Sequence, residues 1–307
     1  MAITLALIPV FLIIVIGQIL RRVDFPGMSF WAPAEKLLYY VLFPCMLIEK
    51  LTYAAHDDAL FSALGVAILL AIALATLILT GIQKIRPVSG ARFTSIYQGG
   101  IRFNSYIGLA AIQATIGESA ISTAAICMAI MIPLINVLSI LAFSLYAPGG
   151  TPGWRNVFLN VIKNPLILGC VAGISFNRLG VDFPAPIDDV LHHIGSMALP
   201  LGLLCVGAAL DLSKIGQGSG ALAWALAFKL AVMPLLICVS ARLAGLDAGS
   251  TQVLLTLGAL PTATASYILA RQLGGEAPLM ATIISAQTLV GMVSMPVIIP
   301  LLLPLTT

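Results

Sequence analysis

An arginine stands where a membrane-spanning helix would have its middle. It belongs to the stretch Gln98-Gly99-Gly100-Ile101-Arg102-Phe103-Asn104-Ser105-Tyr106-Ile107-Gly108, which lies inside an apolar segment. A full charge at bilayer depth costs about 2.5–3.5 kcal/mol on insertion scales, so such a residue faces a polar interior or a water-filled cavity. Two adjacent glycines weaken a helix where the charge, the amides and the hydroxyl cluster. These features predict a discontinuous helix whose break lines a site near the bilayer midplane. A second candidate break is Ala259-Leu260-Pro261-Thr262-Ala263-Thr264-Ala265-Ser266. Pro261 removes a backbone donor and frees a carbonyl in the preceding turn. Thr262, Thr264 and Ser266 offer hydroxyls to exposed backbone or to a solute.

Two such breaks crossing would bring two half-helix N-termini to one point, each carrying roughly half a positive charge. Arg102 adds a whole charge, and Asn104, Ser105 and Tyr106 add polar groups. The expected ligand is a small organic anion held by backbone N–H groups, hydroxyls and the Asn104 amide. Two roles stay open for Arg102: binding the anion, or neutralising the C-terminal carbonyls of the first half-helix. Asn136 and Gln287 are uncharged polar residues in apolar runs, either interhelical glue or secondary site residues. Lys229 is the other deeply placed cation, a charge-compensating strut or a group that titrates in proton coupling. His192 and His193 are adjacent and so point to different helix faces, which argues against a shared metal. Glu49 and Lys50 read as snorkelling groups near a span end. The sequence holds no phosphate-binding GxxxxGK[ST] loop, HExxH or nucleophile elbow, so no enzyme chemistry, cofactor or metal is expected.

The elements that must position these residues follow from composition. The chain is 60% hydrophobic and 9% charged, with mean hydropathy +1.08, which places it in the bilayer as an all-α membrane protein. A net charge of +3 carries no message about nucleic acid. The five cysteines stand singly in apolar runs and read as packing residues. The first apolar run, Ile3–Leu20, lacks a preceding positive charge, ends at Arg21-Arg22 and is too long for a cleaved signal. With about 20 apolar residues per crossing, ten spans are expected at 2–20, 34–54, 58–82, 91–116, 118–146, 161–178, 187–210, 219–244, 250–273 and 277–304. A Pro/Gly cluster, Pro148 to Gly153, splits the chain into 1–153 and 154–307, and Trp154 to Asn160 reads as a short interfacial segment.

The two halves echo each other. Pro44 and Pro200 lie 156 positions apart, Ser105-Tyr106-Ile107 and Ser266-Tyr267-Ile268 lie 161 apart, and Gly117-Glu118 and Gly275-Glu276 lie 158 apart. A repeat of five spans must enter the membrane from opposite sides, which makes an inverted repeat with crossed breaks in spans 4 and 9. Ten Lys/Arg fall on one side of that arrangement, while Lys50, Arg178 and Arg242 fall on the other. That asymmetry puts both termini outside the cytoplasm.

The motif order resembles the auxin efflux carrier family of membrane transporters, which includes plant hormone carriers and bacterial malonate-carrier-like proteins. The similar stretches are EKLLYYVLFPCMLIEKL from Glu35, QGGIRFNSYIGLAAIQATIG from Gln98, IPLINVLSIL from Ile132, KNPLILGCVAGI from Lys163, LPLGLLCVGAAL from Leu199 and ALPTATASYILARQLGG from Ala259. The resemblance implies two inverted five-helix repeats and an elevator-type secondary carrier of organic anions such as malonate or an auxin-like acid. It assigns spans 1, 2, 6 and 7 to a scaffold and spans 3–5 and 8–10 to a moving core. The long loop of the plant carriers between spans 5 and 6 is absent, which favours a bacterial inner-membrane carrier. A coupling ion, H+ or Na+, and a homodimer through the scaffold helices stay open. So do a sodium-coupled bile-acid-type symporter on a related fold and a non-transporting receptor or sensor. The breaks contain no carboxylate of their own to hold sodium.

Overall fold

A computed structural model describes residues 2–54, 57–147, 159, 162–211 and 220–305. The described chain is all helix, with no strand. Among the described residues, six helices are long and apolar enough to cross a bilayer: Ile3–Arg22, Asp58–Ile85, Ala120–Tyr146, Ala185–Ala209, Gly220–Leu243 and Ala277–Leu305. The protein is thus a multi-pass membrane protein. Several residues of the sequence reading lie outside the described residues: His56, the Pro148–Gly153 cluster, Trp154 to Phe158, Asn160 and Lys214.

The helices in order are α1 (Ala2–Arg22), α2 (Met28–Leu37), α3 (Phe43–Thr52), α4 (Asp58–Ile85), α5 (Gly90–Ile101), α6 (Ser105–Thr115) and α7 (Ala120–Tyr146). They continue with α8 (Pro165–Arg178), α9 (Ala185–Ser196), α10 (Ala198–Ala209), α11 (Gly220–Ala227), α12 (Met233–Leu243), α13 (Ala248–Ala259), α14 (Ala265–Leu273) and α15 (Ala277–Leu302). Two π-helical turns, Leu38–Leu42 and Phe228–Val232, join α2 to α3 and α11 to α12. Each is followed by a proline, Pro44 or Pro234, in the first turn of the next helix. The ring lacks a donor and crowds the preceding turn, and a widened turn relieves both. The second predicted span is therefore one bulged rod, and the seventh is interrupted at the single residue Met197, between α9 and α10, where the backbone stays near-helical.

Packing sorts the helices into two bundles, each drawing on both halves of the chain. In the first, α1 lies along α10, α3 lies against α8 and α9, and α2 with the π-turn that follows it lies against α10. Glycines allow these approaches: a Cβ at Gly17 would overlap the Leu204 carbonyl, and one at Gly207 would overlap the Ile14 carbonyl. Such small-residue crossings let membrane helices associate by close van der Waals contact. In the second bundle α4 packs on α12 and α7, and α5 packs on α7, α11 and α15. Helix α13 lies among α12, α15, α7 and α6. The bundles meet where α6 lies against α1 and α10, and where α7 touches α3 and α8.

Candidate functional site

The fourth segment breaks where the sequence predicts, but not through its glycines. Helix α5 runs through Gly99 and Gly100 to Ile101, and the chain turns extended at Arg102 (φ −75°, ψ 158°). The glycines instead admit neighbours: a Cβ on Gly99 would meet Ile283, and one on Gly100 would meet Leu79 and Phe228. Their role is close packing of α5 against α15, α4 and the π-turn. What restarts the helix is Asn104, whose Oδ1 accepts from the backbone N–H of Tyr106 and Ile107 at 3.0 and 3.2 Å. That is an N-cap, and it satisfies donors that a buried helix start would otherwise leave bare.

The second break runs from Leu260 to Thr264, between α13 and α14. The two breaks touch backbone to backbone: the Asn104 N–H donates to the Pro261 carbonyl at 2.9 Å. The Thr262 hydroxyl donates to the Gln98 carbonyl at 3.3 Å and lies 3.3 Å from the Ser266 hydroxyl. Gln287 on α15 binds the whole junction. Its Oε1 accepts from the Thr262 N–H at 2.9 Å, and its Nε2 donates to the carbonyls of Gly99 and Ala225, each at 3.0 Å. Gln287 is fully buried with these three bonds made, so its geometry is that of interhelical glue. Thr262 and Ser266 are also fully buried.

Arg102 sits at the C-terminal end of α5, with its backbone N–H on the Gln98 carbonyl at 3.0 Å. Its Nη1 is buried and has no hydrogen-bond partner among the described residues, and neither side-chain polar atom of Gln98 has one. An unpaired guanidinium N–H out of water is a costly arrangement that an anion relieves. The guanidinium lies within electrostatic reach of Tyr39, which belongs to the first bundle. Ser105 and Tyr106 are half-buried at the start of α6. The Tyr106 ring packs edge-on to Phe43 with centroids 5.1 Å apart, and it faces Gly202 on α10. Thr264 donates to Glu35 Oε1 of α2 at 3.1 Å.

The structure thus brings Arg102, Asn104, Ser105, Tyr106, Pro261, Thr262, Thr264, Ser266 and Gln287 to one junction. Asn136, half-buried on α7, makes no hydrogen bond to it among the described residues. Lys229 lies in the second π-turn, which packs on α5, α13 and α15; it is fully buried and its Nζ has no hydrogen-bond partner among the described residues. Sequence reasoning missed Glu35 and Tyr39. Both come from the first bundle, and no spacing in the chain links them to residues so far along it. Glu49 is not a snorkelling group: it is buried, and it pairs with Lys50 at 2.9 Å and with His192 Nδ1 at 3.0 Å.

Residues 154–299 match the family described as membrane transport protein. That match bears out the resemblance carried by stretches such as Ala259–Gly275. A protein of Rhizobium meliloti (strain 1021) named "Putative malonate transporter" is 26% identical over 136 residues. The matched stretch covers 42% of this chain and 42% of that relative.

Proposed function

We propose that this protein is a secondary transporter that carries small organic anions, with a carboxylate of the malonate class as the reference substrate, through the junction of the two broken helices. The observation that carries the reading is the pairing of the Asn104 N–H with the Pro261 carbonyl beside the buried, unpartnered Nη1 of Arg102. Two helix N-termini, α6 and α14, start at this junction, and their partial positive charge adds to that of Arg102. The name of the relative supports the substrate class. Tyr106 and Thr264 stand at the edge of the junction against the first bundle, and Ser105 is half-buried beside them.

The chain crosses the membrane ten times in two inverted halves, 1–153 and 154–307, with both termini outside the cytoplasm of a bacterial inner membrane. Support comes from the paired breaks and from bundles that each take helices from both halves. The first bundle is the scaffold and the second the moving core, in an elevator-type cycle. The contact from Glu35 to Thr264 joins the two bundles at the site, so the cycle breaks and remakes it. The test is uptake of labelled malonate and related carboxylates into proteoliposomes, with sodium and proton gradients imposed separately. Saturable uptake is expected. Absence of saturable uptake for every organic anion tried refutes the reading, and the gradient dependence assigns the coupling ion.

A further inference from the structure

A cavity of about 540 Å³ lies between the bundles, and no residue of the two helix breaks lines it. Its walls are α1, α3, α9 and α10 on one side and α6 and α7 on the other. Along α6 it runs from Ala110 to Ala114 and continues to Glu118 in the following loop, so its near end is one helical turn from Tyr106. Most of the wall is apolar, with Val10, Ile13, Leu199 and Leu203 among its residues. Its titratable groups form one hydrogen-bonded cluster of Glu49, Lys50, Glu118 and His192, and Gln113 and Ser196 are further polar residues of the wall. A largely apolar cavity of this size with a few convergent polar groups has the form of a small-molecule site.

Lys50 decides the ligand. Its side chain is only 20% exposed and is held from below by Glu49 at 2.9 Å. Its second carboxylate partner is Glu118 at 2.7 Å, which is 60% exposed and comes from the loop between α6 and α7. The two carboxylates therefore differ. Glu49 is fixed in the protein, with His192 on its Oε1 at 3.0 Å, whereas Glu118 swings into water at little cost. An exposed ion pair of this kind is worth about 0–1 kcal/mol. A foreign carboxylate that replaced Glu118 on Lys50 would keep the charge balance of the cluster and place its remaining atoms along the apolar wall.

We propose that this cavity is a second ligand site, for an amphipathic monocarboxylic acid. The carboxylate takes the place of Glu118 on Lys50, and the hydrocarbon body lies along Val10, Ile13 and Leu203. The site is separate from the helix junction, and its occupancy does not depend on the protein's transporting anything.

The experiment reads occupancy directly. Gln113 lines the cavity. The full chain carrying Gln113→Cys, in proteoliposomes, is labelled with an uncharged maleimide, and the parent chain corrects for its own cysteines. Octanoate is the probe and octanol the uncharged control. Octanoate slows labelling and octanol does not. Lys50→Gln abolishes the protection, while Lys50→Arg keeps it and shows that the fold survives exchange at this position. Glu118→Gln removes the internal competitor and lowers the half-protecting octanoate concentration by up to about five-fold, the worth of an exposed ion pair. Equal protection by octanol, undiminished protection in Lys50→Gln, or an introduced thiol that no maleimide reaches overturns the proposal. None of these readouts uses flux, so a failure of malonate uptake leaves this result standing, and the reverse also holds.

Discussion

Replacing Asn104 separates the capping of a helix from the binding of an anion. Its Oδ1 takes two backbone N–H groups in a buried site, so Asn104→Ala loses an N-cap worth about 0.5–2 kcal/mol. A transport defect in that variant alone would be ambiguous. Asn104→Asp resolves it, because aspartate caps as well as asparagine and its charge suits a helix N-terminus. The same charge stands at the junction where an incoming carboxylate would bind. Two like charges about 4 Å apart at an effective dielectric constant of about 20 repel by about 4 kcal/mol. By the rule of tenfold per 1.4 kcal/mol, this corresponds to an affinity loss of about a thousandfold. Asn104→Ser, which also caps but stays neutral, shows whether the amide contributes beyond the cap. The measurements are melting temperature in detergent and concentration-dependent uptake of labelled malonate. Asn104→Asp should melt close to the parent and fail to take up the anion. If it carries malonate with the parent's half-saturation concentration, the anion does not bind at the break.

Other expectations are as direct. If Arg102 binds the anion, affinity falls from the parent to Arg102→Lys to Arg102→Ala, more steeply for dianions than monoanions, because lysine keeps the charge but not the planar fork. An unchanged dianion/monoanion ratio in Arg102→Ala assigns Arg102 to the helix end alone, with a stability loss of about 0.3–2 kcal/mol. Gln287→Leu strands the Thr262 N–H and the carbonyls of Gly99 and Ala225. At about 1–3 kcal/mol for each unsatisfied buried group, it should lower the melting temperature more than any other polar change at the junction. Gly207→Val should part α1 from α10 and destabilise the protein, whereas Gly65→Ala on α4, with open space around it, should be neutral or gain up to about 1 kcal/mol. Glu118, held by Lys50, keeps its carboxyl below the ordinary range. The contribution of that pair is present above the ordinary carboxylate range and is lost as pH falls through the lowered value, so the gap in melting temperature between the parent and Glu118→Gln should close on acidification.

Local backbone chemistry is most of what a linear reading of this chain yields. The two breaks were legible because Arg102 and Pro261 are residues that a lipid-facing helix interior does not accept, and Asn104 sits where a restarted helix needs a cap. Long apolar runs likewise announced the membrane helices α1, α4, α7 and α15. These signals act within one or two turns, so a linear reading captures them. The tertiary structure decided everything that depends on a partner far along the chain. The glycine pair looked like a weak point and is a packing surface, because Ile283 and Phe228 come from the other half. Gln287 looked like a candidate ligand and is saturated by three backbone groups on three other segments. Glu35 reaches Thr264, and Tyr39 comes within the field of Arg102, only when the two bundles meet. Lys50 and Glu118 likewise pair across that boundary. Side-chain type sets which bonds a residue can make, but in a helical membrane bundle the crossing of helices sets which of them it does make.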